Sequence, residues 1–194
     1  MKKKIFSLIL VVTLIVSAAI PFVTADVPLS ARFDHTGHYG IVSDGIGLNG
    51  LTGGDITLNV PGSVVAAYLY WACIDIDDTG AGDDTITFKG NTITADEQYG
   101  PEPWYENLYT YVYIEDAKEL ISSGDNTYTI SDLTIPTASG AKNYGAGLVV
   151  VYEDLATPMT RIMLMDGSDG FWFDWTDPLG PNSDTACLKF DAMT

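Results

Sequence analysis

The chain has 194 residues, with 9 basic and 26 acidic side chains, a formal net charge of −17 and a pI near 4.1. Hydrophobic residues make up 46%, too many for a disordered acidic tail, and the length suits one domain. The charge excludes duplex nucleic acid and anionic membrane surfaces as partners, because both require Lys and Arg facing phosphate groups.

In chain order, Met1 to Lys4 supply three lysines, and Ile5 to Ile20 runs for 16 residues without a charge. Pro21 breaks that run, and Val23-Thr24-Ala25 precedes Asp26. These are the charged region, apolar region and small-residue cleavage site of a secretory signal. The apolar run falls short of the roughly 20 residues of a spanning helix. Residues 1–25 are therefore expected to be a signal peptide, with an uncleaved anchor as the alternative. Residues 26–194 are expected to form an exported domain, extracellular or at the cell surface, that does not insert into a membrane. The signal holds three of the nine basic residues and none of the acids, so the mature chain has six bases against 26 acids: −20 over 169 residues.

Beyond Asp26 the pattern is strand-like. Val64 to Ile74 is β-branched, aromatic and almost continuously apolar, as in a central strand covered on both faces. Thr85 to Phe88 alternates, Gly90-Asn91 interrupts, and Thr92 to Ala95 resumes, which predicts a hairpin. Leu108 to Ile114, Thr127 to Leu133, Gly147 to Tyr152, Arg161 to Met165 and Ala186 to Phe190 are further predicted strands. One short helix is predicted over Glu115 to Ser122, where Ala117, Leu120 and Ile121 share a face before Gly124-Asp125-Asn126. The expected fold is all-β: an antiparallel, jelly-roll-like β-sandwich. An immunoglobulin pattern is excluded because Trp71 sits beside Cys73 rather than well after it.

The two cysteines, Cys73 and Cys187, are compatible with a disulfide in an exported protein. Such a bridge would close more than a hundred residues and contribute about 4–5 kcal/mol by chain entropy. Two separately buried thiols are the equal alternative.

Two acidic loops are candidate cation sites. Asp75, Asp77, Asp78, Asp83 and Asp84 place five carboxylates in ten residues with two glycines. Hard cations such as Ca²⁺ take six to eight oxygens from loops of this kind. An EF-hand is excluded, because its twelfth position falls on Ile86 and no helices flank the loop. Asp166, Asp169, Asp174 and Asp177 form the second cluster, interleaved with Phe171, Trp172, Phe173 and Trp175. Alternation assigns Phe171, Phe173 and Trp175 to a core. Tyr99, Trp104 and Tyr105, in a Pro-rich loop, are the candidate sugar-stacking aromatics. His35 and His38, with Asp34, are read as loop residues before a transition-metal site. No nucleophile elbow is present, no pair of carboxylates stands out as a glycosidase pair, and no enzyme is expected.

Several segments together resemble a known family. Ala67-Tyr68-Leu69-Tyr70-Trp71 resembles its A-x-LYW strand, and Gly82 to Phe88 its GDDT-type hairpin. Gly124 to Ile130 resembles its GTYT strand. Gly145 to Asp154, with Pro158, Arg161 and Asp166-Gly167, resembles its GLVVVYEDP block. Over roughly 37–189 the chain is similar to a domain of unknown function in exported archaeal and bacterial surface proteins, where it often precedes repeat modules. The resemblance implies a β-sandwich and an extracellular role, with no catalytic motif to carry over. It also implies a fragment of a longer protein or a short secreted member. The expected function is a non-catalytic structural or adhesive module, with neighbouring modules or an extracellular glycan as partners. A Ca²⁺-dependent carbohydrate-binding module is the alternative, and a glycoside hydrolase the third reading.

Overall fold

The computed structural model describes residues 27–76, 83–105, 107–134 and 139–168, with 103–105 described by backbone alone. They form eleven strands in three antiparallel sheets. The strands are β1 (Val27–Gly37), β2 (Tyr39–Gly47), β3 (Gly54–Val60), β4 (Ser63–Asp75), β5 (Thr85–Phe88) and β6 (Asn91–Thr94). They continue with β7 (Glu97–Tyr105), β8 (Leu108–Asp116), β9 (Gly124–Ser131), β10 (Lys142–Glu153) and β11 (Thr160–Ser168). One sheet has the order β2-β10-β4-β8-β7, the second β3-β9-β5-β6, and β1 with β11 makes a two-stranded ribbon. The protein is an all-β sandwich.

The expected central strand is β4, hydrogen-bonded to β10 on one side and β8 on the other. Alternate side chains of a strand face opposite sides of the sheet. Ala67, Leu69, Trp71 and Cys73 of β4 therefore enter the main core, with Leu148 and Val150 of β10 and Tyr111 and Tyr113 of β8. The four-stranded sheet meets them with Ile56, Leu58, Ile86, Phe88, Tyr128 and Ile130. Ring pairs run through this layer. Trp71 stacks on Tyr113 at 5.5 Å between centroids, and Phe88 on Tyr128 at 5.8 Å. The opposite face of β4 and β10 contributes Ala66 and Val151 to a second, smaller core with Phe33 of β1 and Ile162 of β11. The ribbon thus lies on the outer face of the five-stranded sheet, over part of its length.

The hairpin turns one residue earlier than expected. Lys89 and Gly90 both take positive φ, 52° and 76°, so Phe88 pairs with Asn91 across a two-residue turn. The helix expected over 115–122 is corrected to a single 3-10 turn at Lys118–Leu120. Glu115 and Asp116 stay in β8 because they pair with Leu69 and Tyr68, leaving too few residues before β9. The apolar face is nevertheless used. Ala117 and Ile121 are buried, and Leu120 packs on the main core. The Pro-rich loop expected around Tyr99 is instead edge strand β7, where Pro is tolerated because one side of the strand needs no partner. His35 lies within β1 rather than in a loop. The predicted strand at Ala186 to Phe190 falls outside the described residues.

The core assignment has a measurable consequence. Phe88→Ala, at a fully buried ring, should cost about 3–5 kcal/mol. Leu155→Ala, at a side chain 79% exposed, should stay within about 0.5 kcal/mol. Urea titration reads both as midpoint shifts at constant slope.

Candidate functional site

On the outer face of the five-stranded sheet Arg32 gathers Glu97, Asp166 and Tyr99 around its guanidinium. Between Ala31 and Phe33 the pairing of β1 with β11 shifts by one residue, so Arg32 is the extra residue of a bulge. A bulge re-aims side chains. Here it lets consecutive residues both serve the layer beneath: Phe33 enters the small core, and Arg32 reaches across to β4 and β7.

The guanidinium makes a two-pronged pair with Glu97 of β7, Nη1 to Oε1 and Nη2 to Oε2, each 2.8 Å. Its Nε donates to Oδ2 of Asp166 on β11 at 2.5 Å, and Nη2 reaches Oδ1 at 3.3 Å. The Tyr70 hydroxyl donates to Asp166 Oδ2 at 2.9 Å, and the Tyr99 hydroxyl to Oδ1 at 3.0 Å. Tyr68 completes the cage: its ring lies 5.8 Å from the guanidinium carbon, and its hydroxyl donates to the Arg32 carbonyl at 3.3 Å. Arg32 and Asp166 side chains are only 15% and 10% exposed, while Glu97 is 48% exposed.

The electrostatics follow from these contacts. Hydrogen bonding to Glu97 raises the Arg32 pKa, so the guanidinium stays charged. Arg32 in turn holds the Glu97 carboxyl below its ordinary range. Burial, and then the hydrogen bond to Asp166, pushes the Tyr70 hydroxyl up, and Tyr99 shifts the same way for the same causes. Both phenols therefore remain protonated donors. Each Asp166 oxygen accepts two donors, which fills its lone-pair positions. Asp166 and Tyr99, candidates for a metal and a sugar respectively, are brought together as partners of each other.

The other candidates are placed elsewhere. Asp75 ends β4, and its Oδ1 accepts the Ile76 backbone N–H at 2.6 Å. Asp83 Oδ2 accepts the Thr134 N–H at 2.7 Å, and its carbonyl accepts the Trp71 indole N–H at 2.6 Å. Asp84 Oδ1 accepts from the Thr85 hydroxyl. Burial raises the Asp83 pKa, and the charges of Asp75 and Asp84 add to the rise. Among the described residues no group of three or more His, Cys, Asp or Glu is arranged to hold a metal. Asp77, Asp78, Asp169, Asp174 and Asp177, the side chains of Trp104 and Tyr105, and Cys187 lie outside the described residues. Cys73 is a buried thiol, and burial pushes its pKa up to about 11, which makes it a poor nucleophile.

Asp34, His35 and His38 do not converge. Asp34 takes a two-pronged bond from Arg161, both 2.7 Å. The His35 ring packs edge-on to Phe33, and His38 Nδ1 donates to the Thr157 carbonyl at 2.7 Å. Beside the Arg32 cage, the same sheet face opens into an apolar groove of about 420 Å³ lined by Gly47, Tyr70, Ala72, Val112, Gly145 and Gly147.

Arg32 itself was not among the residues singled out from sequence. Its rarity was the available signal, because an isolated Arg in so acidic a chain will find carboxylates. Removing it leaves the largely buried Asp166 carboxylate, with the half-exposed Glu97 beside it, without a cation, so Arg32→Met should cost about 2–4 kcal/mol at pH 7. The Glu97 part has a definite pH sign. Its folded pKa is depressed, so that stability is present above the unfolded value of about 4.3 and is lost as pH falls through the folded value. The gap between wild type and Arg32→Met should therefore narrow below about pH 4 in urea titrations. No family model, curated protein or solved structure matches the chain.

Proposed function

We propose that this chain is the exported, non-catalytic β-sandwich module of a cell-surface or secreted protein, with a structural or adhesive role. The observation that carries the reading is the use of the Arg32 cage. Arg32, Asp166 and Glu97 pair with each other and with the hydroxyls of Tyr70 and Tyr99, and these contacts join β1, β4, β7 and β11. Charges held in that way fix layers together; a catalytic acid or base needs a free position facing substrate. The signal-like first 25 residues support export. No helix among the described residues is long and apolar enough to cross a membrane.

A second reading, a calcium-dependent carbohydrate-binding module, is favoured by Asp83. Its raised pKa comes first from burial and then from Asp75 and Asp84, a repulsion that a divalent cation would relieve.

Three measurements test these readings. Fractionation of cells expressing the full gene should place the protein outside the cytoplasm, with Asp26 as the mature N-terminus by mass spectrometry. Cytoplasmic retention with residues 1–25 intact would refute export. Release of reducing sugar from cell-wall or matrix polysaccharide, abolished by one carboxylate substitution, would make the protein a hydrolase. For the calcium reading, Ca²⁺ at a hundredfold excess over its Kd should add about 2.7 kcal/mol of stability. An unchanged Tm in millimolar Ca²⁺ removes that reading.

A further inference from the structure

The corner where the chain crosses between the two larger sheets carries a pair of facing acids. β6 ends at Thr94 in the four-stranded sheet, and β7 begins at Glu97 in the five-stranded sheet. Ala95 and Asp96 make the crossing. β7 runs antiparallel to β8, with Glu97 opposite Ile114 and Gln98 opposite Tyr113. One step further in the same register, Asp96 stands opposite Glu115. The Asp116 backbone N–H holds it there by donating to Asp96 Oδ2 at 3.0 Å. Like charges directly opposite each other on neighbouring strands are destabilising.

No cation answers this pair. Glu115 Oε2 is buried without a hydrogen-bond partner, and among the described residues neither Glu115 nor Asp96 is in an ion pair. On β4 the residue opposite Glu115 is Leu69, which carries no charge, and its neighbour Tyr68 lies against Arg32. Glu97 of β7 is turned to Arg32. Asp116, next on β8, adds a third carboxylate. The 3-10 turn after it carries Lys118 and Glu119, both exposed and of opposite sign. The charged residue of the β5–β6 hairpin is Lys89, whose ammonium donates to the Leu120 carbonyl and lies over the Tyr128 ring. Ionised carboxylates only accept hydrogen bonds, whereas a protonated one supplies a donor. Burial, and then the charge of Asp96, pushes the Glu115 carboxyl above its ordinary range.

We propose that Glu115 is a protonated carboxylic acid whose O–H donates to the Asp96 carboxylate, fastening the crossing between the sheets in acid and loosening it as pH rises. The sign follows from the raised carboxyl. Its contribution is fully present below the unfolded value of about 4.3 and is lost as pH rises through the higher folded value. The neighbouring Arg32–Glu97 pair runs the other way and is lost as pH falls. The start of β7 thus has one fastening for each side of the pH range. The inference is independent of export or calcium binding.

Two experiments on the full chain test it, both in EDTA so that no divalent cation takes the proton's place. Glu115→Gln keeps a donor at every pH and removes the charge. It should raise Tm by about 2 °C near pH 7.5, and the gain should vanish near pH 4. A Tm difference of the same size at both pH values, or a lower Tm confined to the higher pH, would overturn the proposal. The second experiment begins with the unsubstituted chain, so it stands even where that variant fails to fold. Carbon-13 NMR of the side-chain carboxyls should give Glu115 a titration midpoint above about 4.3, and a midpoint at or below that value refutes the shared proton. In Asp96→Asn the midpoint should fall, because the opposing charge is gone and an amide can donate to the carboxylate. An unchanged midpoint there is the mark of burial alone and also refutes it.

Discussion

Strand β4 buries side chains on both faces, and each face must be covered. Toward the four-stranded sheet it presents Ala67, Leu69, Trp71 and Cys73; on the other side it presents Ala66, Tyr68, Tyr70 and Ala72. A two-layer sandwich satisfies only the first set. The second set requires a third layer, and the β1–β11 ribbon supplies part of it. The Arg32 bulge, the tyrosine cage, the small second core and the open groove all follow from this need to cover the outer face of one central strand.

The two covers differ in chemistry for a physical reason. The main core is wide, and rings such as Trp71, Tyr113, Phe88 and Tyr128 fill it by stacking. The ribbon has only two strands and contributes few apolar side chains, chiefly Phe33 and Ile162. Apolar burial of that size is a weak attachment for a two-stranded element. The cage adds directional contacts to it. One scarce cation holds two carboxylates, and two phenols kept protonated by burial and by Asp166 donate to the carboxylate between them. In an acidic chain this also neutralises repulsion where desolvation would make it most costly.

Several features were legible from residues alone. The strands β4, β8, β9, β10 and β11 and the hairpin of β5 and β6 show either alternation or a continuous apolar run. β1 and β2 do not, since most of their side chains are exposed or half-buried on both faces and leave no period to detect. β7 was hidden by Gly100-Pro101, which breaks the pattern where the pairing with β8 shifts. The residues of the 3-10 turn have helical spacing, but three apolar side chains at that spacing also suit a strand end followed by a turn.

The sequence by itself determined the fold class, the central strand and most of the core, because those depend on local periodicity. It also determined that carboxylates would be in excess and cations scarce. Only the tertiary structure decided which carboxylates matter. Asp166 and Arg32 are 134 positions apart and Arg32 and Glu97 are 65 apart, and a one-residue bulge in β1 brings all three to one place. Residue type states what chemistry is available; register and bulge decide which groups meet.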